Sequence, residues 1–449
     1  MTKTPRLRFP VPISISAAAR AYLSVPAPPT PVYPALDDVD GWLRNIEETD
    51  AELLSGLPDQ ELPVLVEDRR VAGVPTYVAR ASGVPDDDRT PVYLDVHGGA
   101  LIYGGGAFCR ITASLDAITT GMIVYGVDYR MAPRHPYPAA LDDCLAVYRA
   151  LLEVRDPQDV FVGGASAGGN LAAALVVRAR DEGVPMPAAL VLLTPEVDLT
   201  ESGDTFQTLD CVDNTLSSLH QINLLYADGR NLADPYLSPL FADVSGFPPT
   251  FLHAGTRDLF LSNTVRMHRK LRAAGVDAEL HVFEAMPHTG FYGAPEDLEL
   301  GAEIRRFLDA HRRSPATIRP IGRVASPLSD RDVAPRQPDE GAPPATIVLD
   351  PNVRAAADDI RPGDRLVVLT WLHLADRDVL RVHPRSDPAR PPTGVFSTRS
   401  SDRPNPIGLH AVTVTAITAD GRIEVDALEA VDDTPVLDLK PDLGDVGDR

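Results

Sequence analysis

The stretch Gly163-Gly164-Ala165-Ser166-Ala167-Gly168-Gly169-Asn170 decides the reading of this chain. It contains G-x-S-x-G with Ser166 at its centre. The apolar run Val160 to Val162 precedes it, and an Ala/Leu/Val-rich helical pattern follows from Leu171 to Arg178. Strand, tight turn and helix form the setting in which this motif carries chemistry. Gly164 and Gly168 suit a strained turn in which a Cβ would clash with the adjoining strand and helix. The helix N-terminus beneath the serine favours developing negative charge. The pattern points to a serine nucleophile that attacks a carbonyl.

Around this motif the chain alternates. Strand-like runs lie at Val92 to Val96, Ile123 to Val127, Val160 to Val162, Leu190 to Thr194, Thr250 to His253 and Glu279 to Phe283. Helical patterns lie at Ala139 to Val154, Leu171 to Arg180, Asn263 to Ala274 and Asp297 to His311. Alternation of this kind predicts a parallel sheet with helices on both faces. Upstream, a helix is expected from Leu36 to Leu57, then strands at Leu62 to Val66 and Pro75 to Ala79. The stretch Glu196 to Pro248 breaks the alternation and reads as a lid or pocket wall.

With 449 residues, the chain is long enough for two domains. Arg312 to Ala316 reads as a linker, giving domains at 1–313 and 317–449 with 314–316 between them. Beyond it helical periodicity fades, and short Val/Ile/Thr runs appear at Ala345 to Leu349, Arg365 to Leu372, Ala411 to Ile417 and Arg422 to Val425. A mostly β domain is expected there. The net charge of −22 weighs against general affinity for nucleic acid or anionic membrane. The cysteines, Cys109, Cys144 and Cys211, are odd in number and far apart, and read as reduced thiols in a cytoplasmic protein. No stretch has transmembrane length, and no His pair or carboxylate cluster has the spacing of metal ligands.

A serine needs a base, an orienting acid and oxyanion donors. Asp258 follows the strand at Thr250 to His253. His288 follows the strand at Glu279 to Phe283, completing the chain order serine, acid, histidine. His97-Gly98-Gly99-Ala100 follows the strand at Val92 to Val96. The N–H groups of Gly98 and Gly99, with that of Ala167, suit an oxyanion. His97 reads as a support for that loop and His253 as a satisfied core histidine. Asp128, Arg130 and His135 read as a hydrogen-bonded brace.

These motifs, with Asp128 to Ala140, Ala233 to Leu240, Gly255 to Asp258 and His288 with Phe291, resemble the hormone-sensitive-lipase-like branch of the α/β-hydrolases over residues 30–312. The resemblance implies an α/β-hydrolase fold with an eight-stranded sheet and a cap built partly from the N-terminal segment. It implies hydrolysis of a small-molecule ester through an acyl-enzyme on Ser166. His288 would be the base and Asp258 its orienter, and Gly98, Gly99 and Ala167 would form the oxyanion hole. The chain departs from that family at Ala165, where Asp is common, at Ala100 in place of a glycine, and at the inserted Thr289. Glu196 puts a carboxylate where a bulky residue is common, and could select a cationic or polar substrate.

In the β domain the strongest signal is Val395 to Leu409, which gathers Arg399, Arg403, Pro404, Asn405, Pro406 and Gly408. The prolines stiffen the loop, and the arginines offer fork donors to a carboxylate or phosphate. A rigid loop with surface arginines is the plainer alternative. With Ile321 to Pro327, Pro335 to Pro338, Trp371 to His373 and Asp433 to Pro441, residues 317–443 resemble the TsaA-like (TrmO-type) methyltransferases, which are small β-barrels. The resemblance implies S-adenosylmethionine contacts at Gln337, Pro338, His373, Arg399, Leu409 and the segment Asp426, Ala427, Leu428 and Glu429. Asp438 and Lys440 match a polar motif beside that site.

Here too the chain departs. Asp432-Asp433 stands where Asp-Gly is usual, Glu429 replaces an Asp, and Asp442 replaces an aromatic residue. Residues 317–449 hold 16 basic and 22 acidic residues, whereas tRNA binding normally needs a cationic surface. The methyl acceptor is therefore a small molecule or tRNA. Two readings stand: a bifunctional esterase and methyltransferase, or an esterase with a non-catalytic module that binds S-adenosylmethionine or dimerises. Both resembled families contain dimers, so a homodimer is also an expectation.

Overall fold

The computed structural model describes residues 9–25, 31–56, 62–87, 90–210, 212–313, 318–337, 340–383 and 389–442. The expected linker 314–316, Cys211 and Pro338 lie outside them. The chain divides into two compact units, Met1–Arg313 and Ser314–Arg449.

The first unit begins with α1 (Ala17–Ser24) and α2 (Val39–Ser55), then the antiparallel pair β1 (Val64–Val71) and β2 (Val74–Ala81). Alternation follows: β3 (Val92–Val96), α3 (Ala107–Thr120), β4 (Ile123–Val127), α4 (Ala139–Leu152), β5 (Val160–Ala165), α5 (Ala167–Asp181) and β6 (Ala189–Leu193). Next come α6 (Thr205–Thr208), α7 (His220–Ala227), β7 (Thr250–Gly255), α8 (Leu261–Ala273), β8 (Ala278–Phe283) and α9 (Pro295–His311). The eight strands form one sheet in the order β1-β2-β4-β3-β5-β6-β7-β8. From β4 to β8 every neighbouring pair is parallel.

Parallel strands covered on both faces read as continuous apolar runs. Every residue of β3 is accordingly buried. One face of the sheet packs a large core that includes Leu94, Leu145, Leu171, Leu175, Leu192 and Leu252. The other packs Phe161, Phe251, Met122, Ile304 and Phe307. Ligand sites in such sheets gather outside the carboxyl ends of the strands. Ser166, Asp258, His288 and the Gly98-Gly99 turn all follow strands at that edge.

The stretch 196–248 is packed rather than free. Leu199, Ile222, Leu225, Tyr226 and Leu237 join the larger core. Lys270 Nζ of α8 donates to Leu240 O at 2.8 Å. Among the described residues, no helix is long and apolar enough to cross a membrane.

The second unit contains β9 (Gly322–Ala325), β10 (Ala345–Leu349), β11 (Arg365–Trp371), β12 (Arg381–Val382), β13 (Thr393–Gly394), β14 (Ile407–Ile417), β15 (Ile423–Val425) and β16 (Pro435–Pro441). Six of them close a barrel in the order β10-β15-β14-β11-β16-β9. Its pairs are antiparallel. Closure removes the exposed edges that an open sheet of this size would leave. Val324, Ile347, Val368, Val412, Val414, Val425, Leu428 and Val436 fill it. β14 alternates as such a strand must, with Gly408, His410 and Val412 buried and Ile407, Leu409 and Ala411 exposed.

Candidate active site

Ser166 sits between β5 and α5 with φ 56° and ψ −120°, a region that costs a non-glycine residue energy and marks a turn held by its surroundings. Those surroundings are close. A Cβ on Gly168 would overlap the Val96 carbonyl, and one on Gly164 would collide with both Val96 and Gly168. Only hydrogen atoms at both positions let α5 cross β3 so near the serine. Ser166 N donates to Leu193 O at 2.8 Å, tying the elbow to β6.

The serine hydroxyl lies 2.9 Å from His288 Nε2, and His288 Nδ1 lies 2.9 Å from Asp258 Oδ1. All three residues are buried: Ser166 is 7% exposed, His288 3% and Asp258 0%. The carboxylate accepts from Nδ1–H, which fixes the tautomer and leaves Nε2 free to accept the serine proton. Asp258 Oδ1 also accepts from Phe260 N at 3.0 Å. The Phe260 ring meets the His288 ring edge-on, with centroids 4.9 Å apart. The His288 ring is thus held on one side by a carboxylate and on another by an aromatic wall.

Above the elbow runs the turn that follows β3. Gly99 has φ +122°, and a Cβ there would overlap the Tyr103 carbonyl, so this turn needs glycine. Ala167 is the first residue of α5, so its N–H is among the unpaired donors of a helix start. His97 supports the turn as expected. Its Nδ1 bonds Gly98 O at 2.7 Å, its ring stacks on Tyr129 at 4.1 Å, and Tyr129 Oη donates to its carbonyl at 2.9 Å. Burial lowers His97 to about 4, so it is a neutral ring. Its partners are local, and the motif made it legible.

The helix α2 makes a second support that the sequence did not show. Asp50 Oδ1 accepts from Gly104 N at 2.8 Å, and Asn45 Oδ1 accepts from Tyr103 Oη at 2.6 Å. No spacing rule links α2 to a turn some fifty residues on. Its amphipathic pattern announced only a helix.

Several expectations need correction. Glu196 does not face a substrate: it is fully buried, and its Oε1 accepts from Asn223 Nδ2 at 2.8 Å. Burial pushes its carboxyl up to about 8. Its backbone N–H donates to Ser166 O at 3.1 Å, and Asn170 Nδ2 donates to its carbonyl at 2.7 Å, so this residue braces the elbow from behind. His253 is buried, but among the described residues neither ring nitrogen has a hydrogen-bond partner. The brace holds in part. Asp128 Oδ1 accepts from Gly106 N at 3.0 Å, and Arg130 makes a forked pair with Asp143, whereas His135 is exposed. His97, Cys109 and Asp128 bring possible ligand atoms within 4.8 Å of one another, a cluster that sequence spacing hid. Two of the three already serve backbone groups of this loop.

In the barrel, His373, Arg399 and Leu409 are exposed and Gln337 is half-buried. Of the segment Asp426 to Glu429, Asp426 is exposed, Ala427 and Glu429 are half-buried and Leu428 turns inward. The Asp426 carboxylate accepts from Thr413 N and Ala427 N at 2.7 and 2.9 Å, and Leu428 is fully buried. Glu429 Oε1 lies 2.9 Å from His410 Nδ1, and His410 Nε2 lies 2.8 Å from Thr370 Oγ1. This buried Thr370–His410–Glu429 chain was missed, because strand alternation says which residues point inward but not which of them meet.

Arg403 does not offer its fork to a ligand. Its Nε donates to Ser400 O at 2.8 Å and its Nη2 to Val395 O at 2.8 Å, bracing the loop. Arg399 is the exposed arginine of that loop. Asp433 takes φ +61°, the angle a glycine would adopt without strain and one that Asp tolerates better than most residues. The usual turn is therefore kept without its glycine. Asp438 and Lys440 form an exposed pair at 2.9 Å.

Residues 93–292 match the family described as alpha/beta hydrolase fold. The chain is 32% identical to the esterase LipU of Mycobacterium tuberculosis over 228 residues, 47% of this chain and 74% of that one. The chain belongs to the α/β-hydrolase family. An esterase of Acinetobacter venetianus is 35% identical over 201 residues, 44% of this hydrolase and 66% of the relative's own length. Of solved structures, esterase E25 superposes with a TM-score of 0.62 at 36% identity, covering 70% of this hydrolase and 99% of E25. An esterase from the bacterial hormone-sensitive lipase family gives 0.57 at 33% identity, covering 66% and 95%. Residues 323–446 match the tRNA-methyltransferase O N-terminal domain.

Proposed function

We propose that this α/β-hydrolase hydrolyses small carboxylic esters through an acyl-enzyme on Ser166. The observation that carries the reading is the continuous bond path from Ser166 Oγ through His288 to Asp258. His288 Nε2 takes the serine proton as Oγ attacks the ester carbon. The carbonyl oxygen becomes an oxyanion that the N–H groups of Gly98, Gly99 and Ala167 receive. His288 then returns the proton to the departing alcohol, and a water activated by the same nitrogen releases the acid. The buried Asp258 stabilises the imidazolium formed in each step.

The test is hydrolysis of p-nitrophenyl esters across acyl lengths by wild type and Ser166→Ala. Activity in the wild type that the variant lacks is expected. Equal rates in both would sink the reading.

For the barrel the reading is an S-adenosylmethionine module that methylates a small molecule or tRNA. The residues fit the cofactor in part. Exposed Arg399, Leu409 and His373 would hold it, with the guanidinium suited to its carboxylate and Leu409 to an apolar surface. When bound, the cofactor supplies an activated methyl group on a sulfonium. A second reading, a module that binds the cofactor or a second copy without transferring a methyl group, is favoured by Asp426, whose carboxylate is taken up by backbone N–H groups, and by the inward-turned Glu429. Calorimetry with S-adenosylmethionine, then a labelled-methyl assay with total tRNA, separates the two.

A further inference from the structure

A carboxylate outside the Ser166–His288–Asp258 path is built into its support. Asp213 lies between α6 and α7, and is 2% exposed. Its Oδ2 accepts from Leu259 N at 2.9 Å, the residue next to Asp258. Its Oδ1 accepts from Thr215 N at 2.9 Å and Leu216 N at 3.2 Å. Thr215 Oγ1 in turn bonds Tyr22 Oη of α1 at 3.1 Å. The Tyr22 ring packs on Phe291 and Tyr292, with centroids 6.0 and 5.8 Å apart, in the loop that carries His288. One buried carboxylate thus joins the acid loop, the stretch before α7, the N-terminal helix and, through Tyr22, the base loop.

We propose that Asp213 is a positioning residue for hydrolysis. It fixes the backbone that follows Asp258, and its negative charge favours the imidazolium that His288 becomes in each transfer. The inference rests on the ester-hydrolysis reading above.

The groups that face Asp213 are Asp258, His288, Tyr22 and Tyr292. Burial raises both tyrosines, which stay uncharged near neutral pH. Burial, and then the charge of Asp258, push Asp213 up to about 6, against the pull of His288 and of the N–H groups it accepts. Asp213 is therefore an anion at pH 7.5 and gains a proton as the pH falls through about 6. Below that point His288 loses a charge that supports its imidazolium.

The experiment is kcat and kcat/KM for p-nitrophenyl butyrate from pH 5 to 9 on the full chain, as wild type, Ser166→Ala, Asp213→Asn and Asp213→Glu, with the Tm of each. Asp213→Asn should lower kcat about tenfold at pH 7.5 and move the acid limb of kcat/KM to lower pH by about half a unit or more. Asp213→Glu, which keeps the charge, should return the limb toward the wild type. A lowered kcat with an unmoved limb overturns the proposal, since a merely structural carboxylate would act that way. Equal displacement in both variants overturns it too.

The wild type alone gives a further check. Its kcat should fall as the pH drops through about 6, and a kcat unchanged from pH 7.5 to 5 overturns the proposal even if both variants misfold. An active wild type, an inert Ser166→Ala and an unmoved limb defeat this inference alone. A wild type no faster than Ser166→Ala defeats the hydrolytic reading and this inference with it.

Discussion

His288 Nε2 stands 2.9 Å from Ser166 Oγ across 122 residues of chain. The two side chains follow β8 and β5, which are separated in the sheet by β6 and β7. Their meeting rests on parallel strands that end at one edge, on a serine lifted by its strained turn, and on a base loop that folds back over it.

Asp258→Asn should leave the fold intact and lower kcat/KM by about 10³-fold or more. An amide at this position can present N–H to Nδ1, which favours the tautomer that cannot accept the serine proton. Steady-state kinetics with p-nitrophenyl butyrate, beside the Tm, check this. A loss below tenfold would show that the carboxylate does not orient the base.

Glu196→Gln should stabilise the chain, increasingly so as pH rises. The folded carboxyl titrates at about 8 against its usual 4.5, so folding above 4.5 requires uptake of a proton. That contribution is complete below about 4.5 and fades as the pH climbs toward 8. Glutamine keeps the acceptor for Asn223 and carries no such dependence. The gap between variant and wild type should widen by up to about 1.4 kcal/mol per pH unit over that window. Thermal unfolding from pH 5 to 8 measures it, and parallel Tm curves would refute the buried neutral acid.

Asp50→Ala should lower kcat several-fold with little change in KM. The variant frees Gly104 N–H, the tether that holds the Gly98–Gly104 turn to α2. A looser turn weakens donors that matter most when the oxyanion forms. A raised KM with unchanged kcat would place Asp50 in substrate binding instead.

Arg399→Ala should weaken S-adenosylmethionine binding to the full chain about tenfold, while Arg403→Ala should lower the Tm. The contrast follows from one exposed guanidinium and one that already braces the loop. Calorimetry with both variants checks it, and equal loss of binding in both would contradict the assignment.

Local pattern made much of this visible. β3 and β4 stand at the predicted residues, because a strand buried on both faces is a nearly continuous apolar run between turn signals, broken in β3 only by Asp95. Ser166, Asp258 and His288 were legible because each closes a strand within a short motif. The helix α3 was not expected. Its sequence AFCRITASLDAITT mixes threonine and small residues, which dilute the apolar stripe, and its place against the sheet and α9 comes from tertiary packing. In the barrel, β9 and β16 also escaped notice, being a short run and one interrupted by Asp438 and Lys440.

By itself, then, the sequence determined the two architectures and marked Ser166, His288 and Asp258 as the candidates that the fold brings together, because periodicity and short motifs encode local geometry. Tertiary structure alone decided that Glu196 is buried behind the elbow, that Asp213 props the acid loop, that Asp50 holds the turn above the serine, and that His410 meets Glu429 inside a barrel. Burial and long-range pairing depend on which distant segments come together, and no window of sequence contains both partners.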